Sequence, residues 1–108
     1  MSESWEIQPE EVETKRNAGE PLVLLDVREP NEWAFNRIEG AVHIPMMQLP
    51  GRAKELDPEK EIVVYCHSGN RSATAVHFLR QMGYGKARNL AGGIEAWATR
   101  IDPKVPRY

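Results

Sequence analysis

The sequence predicts an α/β fold in which a mostly parallel central sheet carries helices on both faces, and three observations predict it. Residues 22–27 and 62–64 are short apolar runs of strand length without strict alternation, the pattern of strands covered on both sides. Each passes through a loop marked by glycine or proline into a segment of helical character. No internal repeat, low-complexity stretch or interdomain linker interrupts this alternation, so the 108 residues read as one domain over 1–108 with its core at about 18–105.

Taken in order, Ile7 and Gln8 lead into a helix opened by Pro9, Glu10 and Glu11, with proline at the first helical position and acids in the first turn. That helix ends near Gly19. Residues 22–27 form the first central strand and bring Asp26, Val27, Arg28 and Glu29 to one edge of the sheet. Residues 30–35 give one or two helical turns with Trp33 packing inward. Gly40 and Ala41 turn the chain into a brief strand, 42–44, stopped by Pro45. Met46 and Met47 open an irregular helical segment holding Leu49 and Leu56 and closed by Asp57 and Pro58; these methionines read as core filler rather than as a ligand pair. Ile62, Val63 and Val64 form a β-branched central strand. From Ser72 onward, Ala75, Phe78, Leu79 and Met82 mark one helix face, and Gly83 stands where a helix C-terminal glycine belongs. Residues 87–90 read as the last parallel strand. Gly92 and Gly93 turn tightly into a helix carrying Ile94 and Trp97, packed close to the loop that begins at Cys66. The proline-punctuated residues 102–108 should extend over the surface.

Composition narrows the function class. A formal net charge of −2 and a pI near 5.9 give no basic footprint for nucleic acid or for an anionic membrane. A single cysteine allows neither an internal disulfide nor a metal site built on several thiolates, which fits a reducing compartment; no metal and no cofactor are expected. The acidic start, Met1 to Glu6, is not followed by the apolar stretch of a secretory signal, and no run approaches membrane-spanning length. The expectation is a soluble, cytoplasmic protein.

The chemistry concentrates in residues 61–72, where the strand ends at Cys66 and a helix begins beyond a tight loop. The first N–H groups of that helix lack intrahelical partners, and its dipole adds positive potential at the same place. A cysteine at the rim of such an anion cradle, with Arg71 nearby, should be largely thiolate at neutral pH. A buried structural cysteine is the competing reading, but the carboxyl edge of a central strand is where open α/β sheets bind ligands. Asp26 and Arg28 end the neighbouring strand on the same edge and become candidates for bracing the loop from beneath through charge-assisted hydrogen bonds. His43, inside a short apolar strand, reads as structural, and His77 as a surface residue.

Three blocks of sequence carry a resemblance. Residues 66–71 (Cys66, His67, Ser68, Gly69, Asn70, Arg71) resemble the active-site loop of the rhodanese family of sulfurtransferases. Residues 26–29 with Glu32 and Trp33, then 37–45, are similar to that family's upstream signature, and residues 90–94 with Trp97 resemble its closing one. The blocks occur in the family's order and extend from about Pro21 over nearly all the rest of the chain. The resemblance implies a rhodanese-like domain in which Cys66 takes the outer sulfur of thiosulfate or a related donor as a persulfide. A thiophilic acceptor, cyanide in an assay or a cellular thiol, then removes it. His67, Ser68, Gly69, Asn70, Arg71 and Ser72 would form the anion- and substrate-binding loop, chiefly through main-chain amides. Arg71 would face a dianionic donor or turn inward to an acid such as Asp26 or Glu29. Small-molecule donors and acceptors are the implied partners, with a protein donor or acceptor also compatible.

Two rival readings are kept. A sulfur carrier, or a non-catalytic module that binds a partner protein, would have the same fold, and a carrier would have the same loop. A phosphatase or arsenate reductase would use a cysteine and an arginine around an oxyanion, but those loops place five residues between the two, whereas four, His67 to Asn70, stand here.

Overall fold

The computed structural model of the chain describes residues 5–108, so the reading of the acidic start at Met1 to Ser4 lies outside the described residues. Five parallel strands are described: β1 (Glu6–Ile7), β2 (Leu22–Asp26), β3 (Val42–His43), β4 (Glu61–Tyr65) and β5 (Ala87–Leu90), in the spatial order β1-β5-β4-β2-β3. The helices are α1 (Pro9–Asn17), α2 (Pro30–Phe35), α3 (Leu49–Arg52), α4 (Asn70–Gln81) and α5 (Gly93–Arg100), with single 3-10 turns on either side of α3 at Met46–Gln48 and Ala53–Glu55.

Strand alternation divides the core in two. Ile62, Val64 and Cys66 point to the face covered by α3 and α4, where they meet Leu49, Ala75, Val76 and Leu79. Val63 and Tyr65 point to the other face and meet Val12 of α1 and Ile94, Trp97 and Ala98 of α5. Both faces of β4 are thus covered, which is why its sequence reads as a continuous apolar run.

Several local expectations need correction. The edge strand β1 was not foreseen, because two residues carry no periodicity; the Ala91 N–H donates to the Ile7 carbonyl at 2.9 Å and ties it to the end of β5. The buried stripe of α4 is Ser72, Ala75, Val76 and Leu79, whereas Met82 caps the helix and lies 57% exposed. Met46 packs against the core but Met47 points to solvent. Trp33 stays outside the core, stacked on His43 at 4.8 Å with the Arg37 guanidinium on its ring. The last residues do more than cover surface: Val105 is buried, and Tyr108 reaches the loop after β4.

Candidate active site

The sheet delivers Cys66 to its position. β4 pairs with β2 on one side and β5 on the other, and Cys66 is the residue just after its last position. Gly69 then adopts φ 113°, a left-handed conformation that favours glycine, and serves as the N-cap of α4. Glycine has no side chain with which to cap, so the free amides at the start of α4 need another acceptor. The cysteine sulfur supplies it. Sγ accepts from the Gly69 N–H at 3.2 Å, the Ser72 N–H at 3.4 Å and the Ser72 hydroxyl at 3.3 Å.

Cys66 is only 1% exposed, so it lies at the floor of the loop rather than at its rim. Burial pushes its thiol pKa up, but the Ser72 hydroxyl, the Ser72 and Gly69 amides and the Arg71 charge outweigh that, leaving it below the ordinary cysteine value. The side chain is therefore buried and electrostatically prepared at once. An apolar pocket without these donors would leave the sulfur as an inert thiol.

The Ser72 hydroxyl has a second partner. Its oxygen lies 2.5 Å from Asn89 Oδ1, while Asn89 Nδ2 donates to the Gly69 carbonyl at 3.1 Å and to Glu6 Oε2 at 2.8 Å. Two acceptors around Nδ2 fix the amide orientation, so Oδ1 can only receive the single hydroxyl proton of Ser72. Asn89 and the sulfur thus compete for one proton. Sequence reasoning missed Asn89 and Glu6, since an asparagine in a buried strand signals a polar partner without naming it.

The third wall is α5. The Ile94 and Glu95 N–H groups donate to the Cys66 and His67 carbonyls at 2.9 and 3.1 Å, turning those oxygens toward α5. Gly93, at φ 62°, permits this approach, because a Cβ there would lie 2.6 Å from the Cys66 carbonyl oxygen. The close packing expected of Gly92 and Gly93 against the loop is present.

Asp26 and Arg28 form a fully buried ion pair, with guanidinium–carboxylate contacts of 2.7 to 3.1 Å. Arg28 also bonds the Asn36 side chain and carbonyl and the Tyr108 hydroxyl, and its guanidinium carbon lies 5.7 Å from the centre of the Tyr65 ring. The pair braces the segment beside the loop without touching Sγ.

Arg71 turns to an acid, but to neither of the two expected. Asp26 is occupied by Arg28, and Arg71 Nη1 and Nη2 bond Glu32 Oε1 and Oε2 at 2.7 and 3.0 Å. The Glu29 N–H and the Tyr108 hydroxyl donate to the same carboxylate, at 2.9 and 2.7 Å. Arg71 first, aided by these donors and against some desolvation, holds Glu32 down to about 2. His67 stacks on the Tyr108 ring at 4.1 Å and lies 3.8 Å from Glu95. Ser68 and Asn70 are on the exposed outside of the loop. His43 bonds the Arg28 carbonyl at 2.8 Å, and exposed His77 meets the edge of Trp5, so neither joins the site. No helix among the described residues is long and apolar enough to cross a membrane.

The arrangement can hold a sulfur anion on main-chain dipoles at the end of a buried strand. The family model of the rhodanese-like domain matches residues 8–100. A sulfurtransferase of Allochromatium vinosum is 41% identical over 100 residues, covering 93% of this chain and 94% of that protein. YrkF of Bacillus subtilis, named as a candidate sulfur carrier protein, is 37% identical over 97 residues, covering 90% of this chain and 52% of its own length. Among solved structures, a rhodanese-related protein from Thermoplasma volcanium matches with a TM-score of 0.82 at 35% identity, covering 95% of this chain and 98% of the other.

Proposed function

The chain belongs to the rhodanese-like family, and from that membership we propose that it moves a sulfane sulfur from thiosulfate or a related donor to a thiophilic acceptor through a persulfide on Cys66. The observation that carries this reading is the Cys66 sulfur resting on the Gly69 and Ser72 amides and the Ser72 hydroxyl.

In the first half-reaction the Cys66 thiolate attacks the outer sulfur of thiosulfate. A new S–S bond forms, the S–S bond of the donor breaks, and sulfite leaves with its electron pair. The donors that lower the thiol pKa contact Sγ, which becomes the inner sulfur of the persulfide, and the positive potential at the start of α4 favours the anionic outer sulfur. No general base is required where the thiolate already exists. In the second half-reaction cyanide or a thiolate attacks that outer sulfur and restores the Cys66 thiolate. With one cysteine in the sequence, discharge goes to an external acceptor.

Intact mass after incubation with thiosulfate tests the reading. One added sulfur, mapped to Cys66 and removed by cyanide, is expected; an unchanged mass, or sulfur that cyanide does not remove, would overturn it. The similarity to YrkF favours a second reading, a carrier loaded by a protein donor. A carrier would load slowly from free thiosulfate and quickly from its partner. Against a phosphatase stand the four residues between Cys66 and Arg71, and an Arg71 side chain committed to Glu32.

A further inference from the structure

Resting on the sulfur-transfer reading, we infer that Glu32 is a donor-selecting residue: by occupying Arg71 it favours singly charged organic persulfides over dianionic thiosulfate as the source of sulfur. Two independent observations lead there.

The first is the charge balance at the mouth of the loop. Arg71 is the only arginine or lysine within the loop sequence, and both its terminal nitrogens are spent on one carboxylate. That carboxylate is held in place by the Glu29 N–H and the Tyr108 hydroxyl as well, and it stays ionised down to about pH 2. Arg107 beside the loop is likewise paired, with Glu95. Among the described residues, a thiosulfate dianion arriving here meets Arg71 and Arg107 already paired with carboxylates. Release of sulfite, also a dianion, meets the same paired cations.

The second is an exposed aromatic ledge next to the same mouth. The Tyr108 ring stacks on His67 of the loop, and the Phe35 ring meets Tyr108 edge-on at 5.7 Å. Tyr108 is 45% and Phe35 52% exposed. Thiosulfate has no apolar part to lay on these rings, whereas an organic persulfide has one. With such a donor, R–S–S⁻, the Cys66 thiolate attacks the outer sulfur. The donor S–S bond breaks, the thiolate RS⁻ leaves with its electron pair, and Cys66 becomes Cys–S–S⁻; no oxidant or reductant is consumed.

The test compares kcat/KM for loading Cys66 from thiosulfate and from benzyl persulfide, read by mass on the full chain. The wild-type protein should favour benzyl persulfide. Glu32→Gln leaves Arg71 a neutral partner of the same size, and should shift the ratio toward thiosulfate about tenfold, or about 1.4 kcal/mol. The thiosulfate rate of that variant should fall with added salt while the wild-type rate barely changes. Tyr108→Ala should lower the benzyl persulfide rate more than the thiosulfate rate. A wild-type preference for thiosulfate, or a donor ratio unmoved in both variants, would overturn the inference while leaving sulfur transfer intact. Failure of Cys66 to take sulfur from either donor would remove the sulfur-transfer reading along with it.

Discussion

Two buried polar sites stand at the carboxyl ends of adjacent strands, and they solve the problem of burial in opposite ways. At the end of β2, Asp26 and Arg28 are both fully buried, and a forked contact cancels one full charge against another. At the end of β4, Cys66 is as deeply buried, but its sulfur meets amide and hydroxyl dipoles and no ion in direct contact. An ion pair is worth most when nothing about it changes, because removing either member strands the other. A ring of dipoles gives less to any one state but tolerates a group that is in turn thiolate and persulfide. The difference separates a brace from a seat.

The sharpest way to break this contrast is Cys66→Ser, which should reduce sulfur transfer to background in a thiosulfate:cyanide assay while circular dichroism stays native; retained turnover would empty the seat of its meaning. Next comes Arg28→Met. Leaving Asp26 buried without its partner should cost about 3–5 kcal/mol of stability, read as a lower denaturant midpoint. A loss below about 1 kcal/mol, the range of an exposed pair, would show that no brace exists there.

Asn89→Leu sharpens the other half of the comparison. It removes the competitor for the Ser72 proton, so the hydroxyl turns to the sulfur and the pH midpoint of Cys66 alkylation moves lower, whereas Ser72→Ala moves it higher. Equal midpoints in the two variants would mean that the hydroxyl is indifferent to the sulfur. The smallest expected effect concerns acid. Glu32 has a folded pKa near 2 against an unfolded value of about 4.3, so its contribution is present above the unfolded value and drains away as pH falls from about 4.5 toward 2. Arg71 is 40% exposed, which keeps the effect modest. Thermal melts at pH 5 and pH 3 should differ less in Glu32→Gln than in the wild type, and equal differences would mean that this pair does not contribute.

The elements that sequence made legible were those with a long-range pattern. The apolar runs of β2 and β4 declare burial on both faces, and Gly92 and Gly93 announce a close approach that the Cys66 and His67 carbonyls fulfil. What stayed hidden was the choice among possible partners. Arg71 had several acids to choose from, and Glu32 prevails because α2 presents it to Arg71 while Asp26 is already taken. The depth of Cys66 was misjudged for a related reason: a loop residue suggests exposure, but α4 and α5 both start over this loop and cover it. Tyr108 could not be placed at all, since its role depends on Asn36 and Pro106 drawing residues 102–108 back across the molecule.

The outermost strands bear on solubility. Each offers two residues of ladder, Glu6–Ile7 on one side and Val42–His43 on the other, and these meet only Asn89 and Leu90 of β5 and only Leu25 and Asp26 of β2, while β4 has a long partner on each flank. A second copy arriving edge-on finds only short, interrupted ladders to extend among the described residues, and at the far border a proline, Pro45, follows shortly after the strand. Concentrated solutions should therefore resist fibril growth by sheet addition, a property owed to how briefly the border strands run rather than to surface charge.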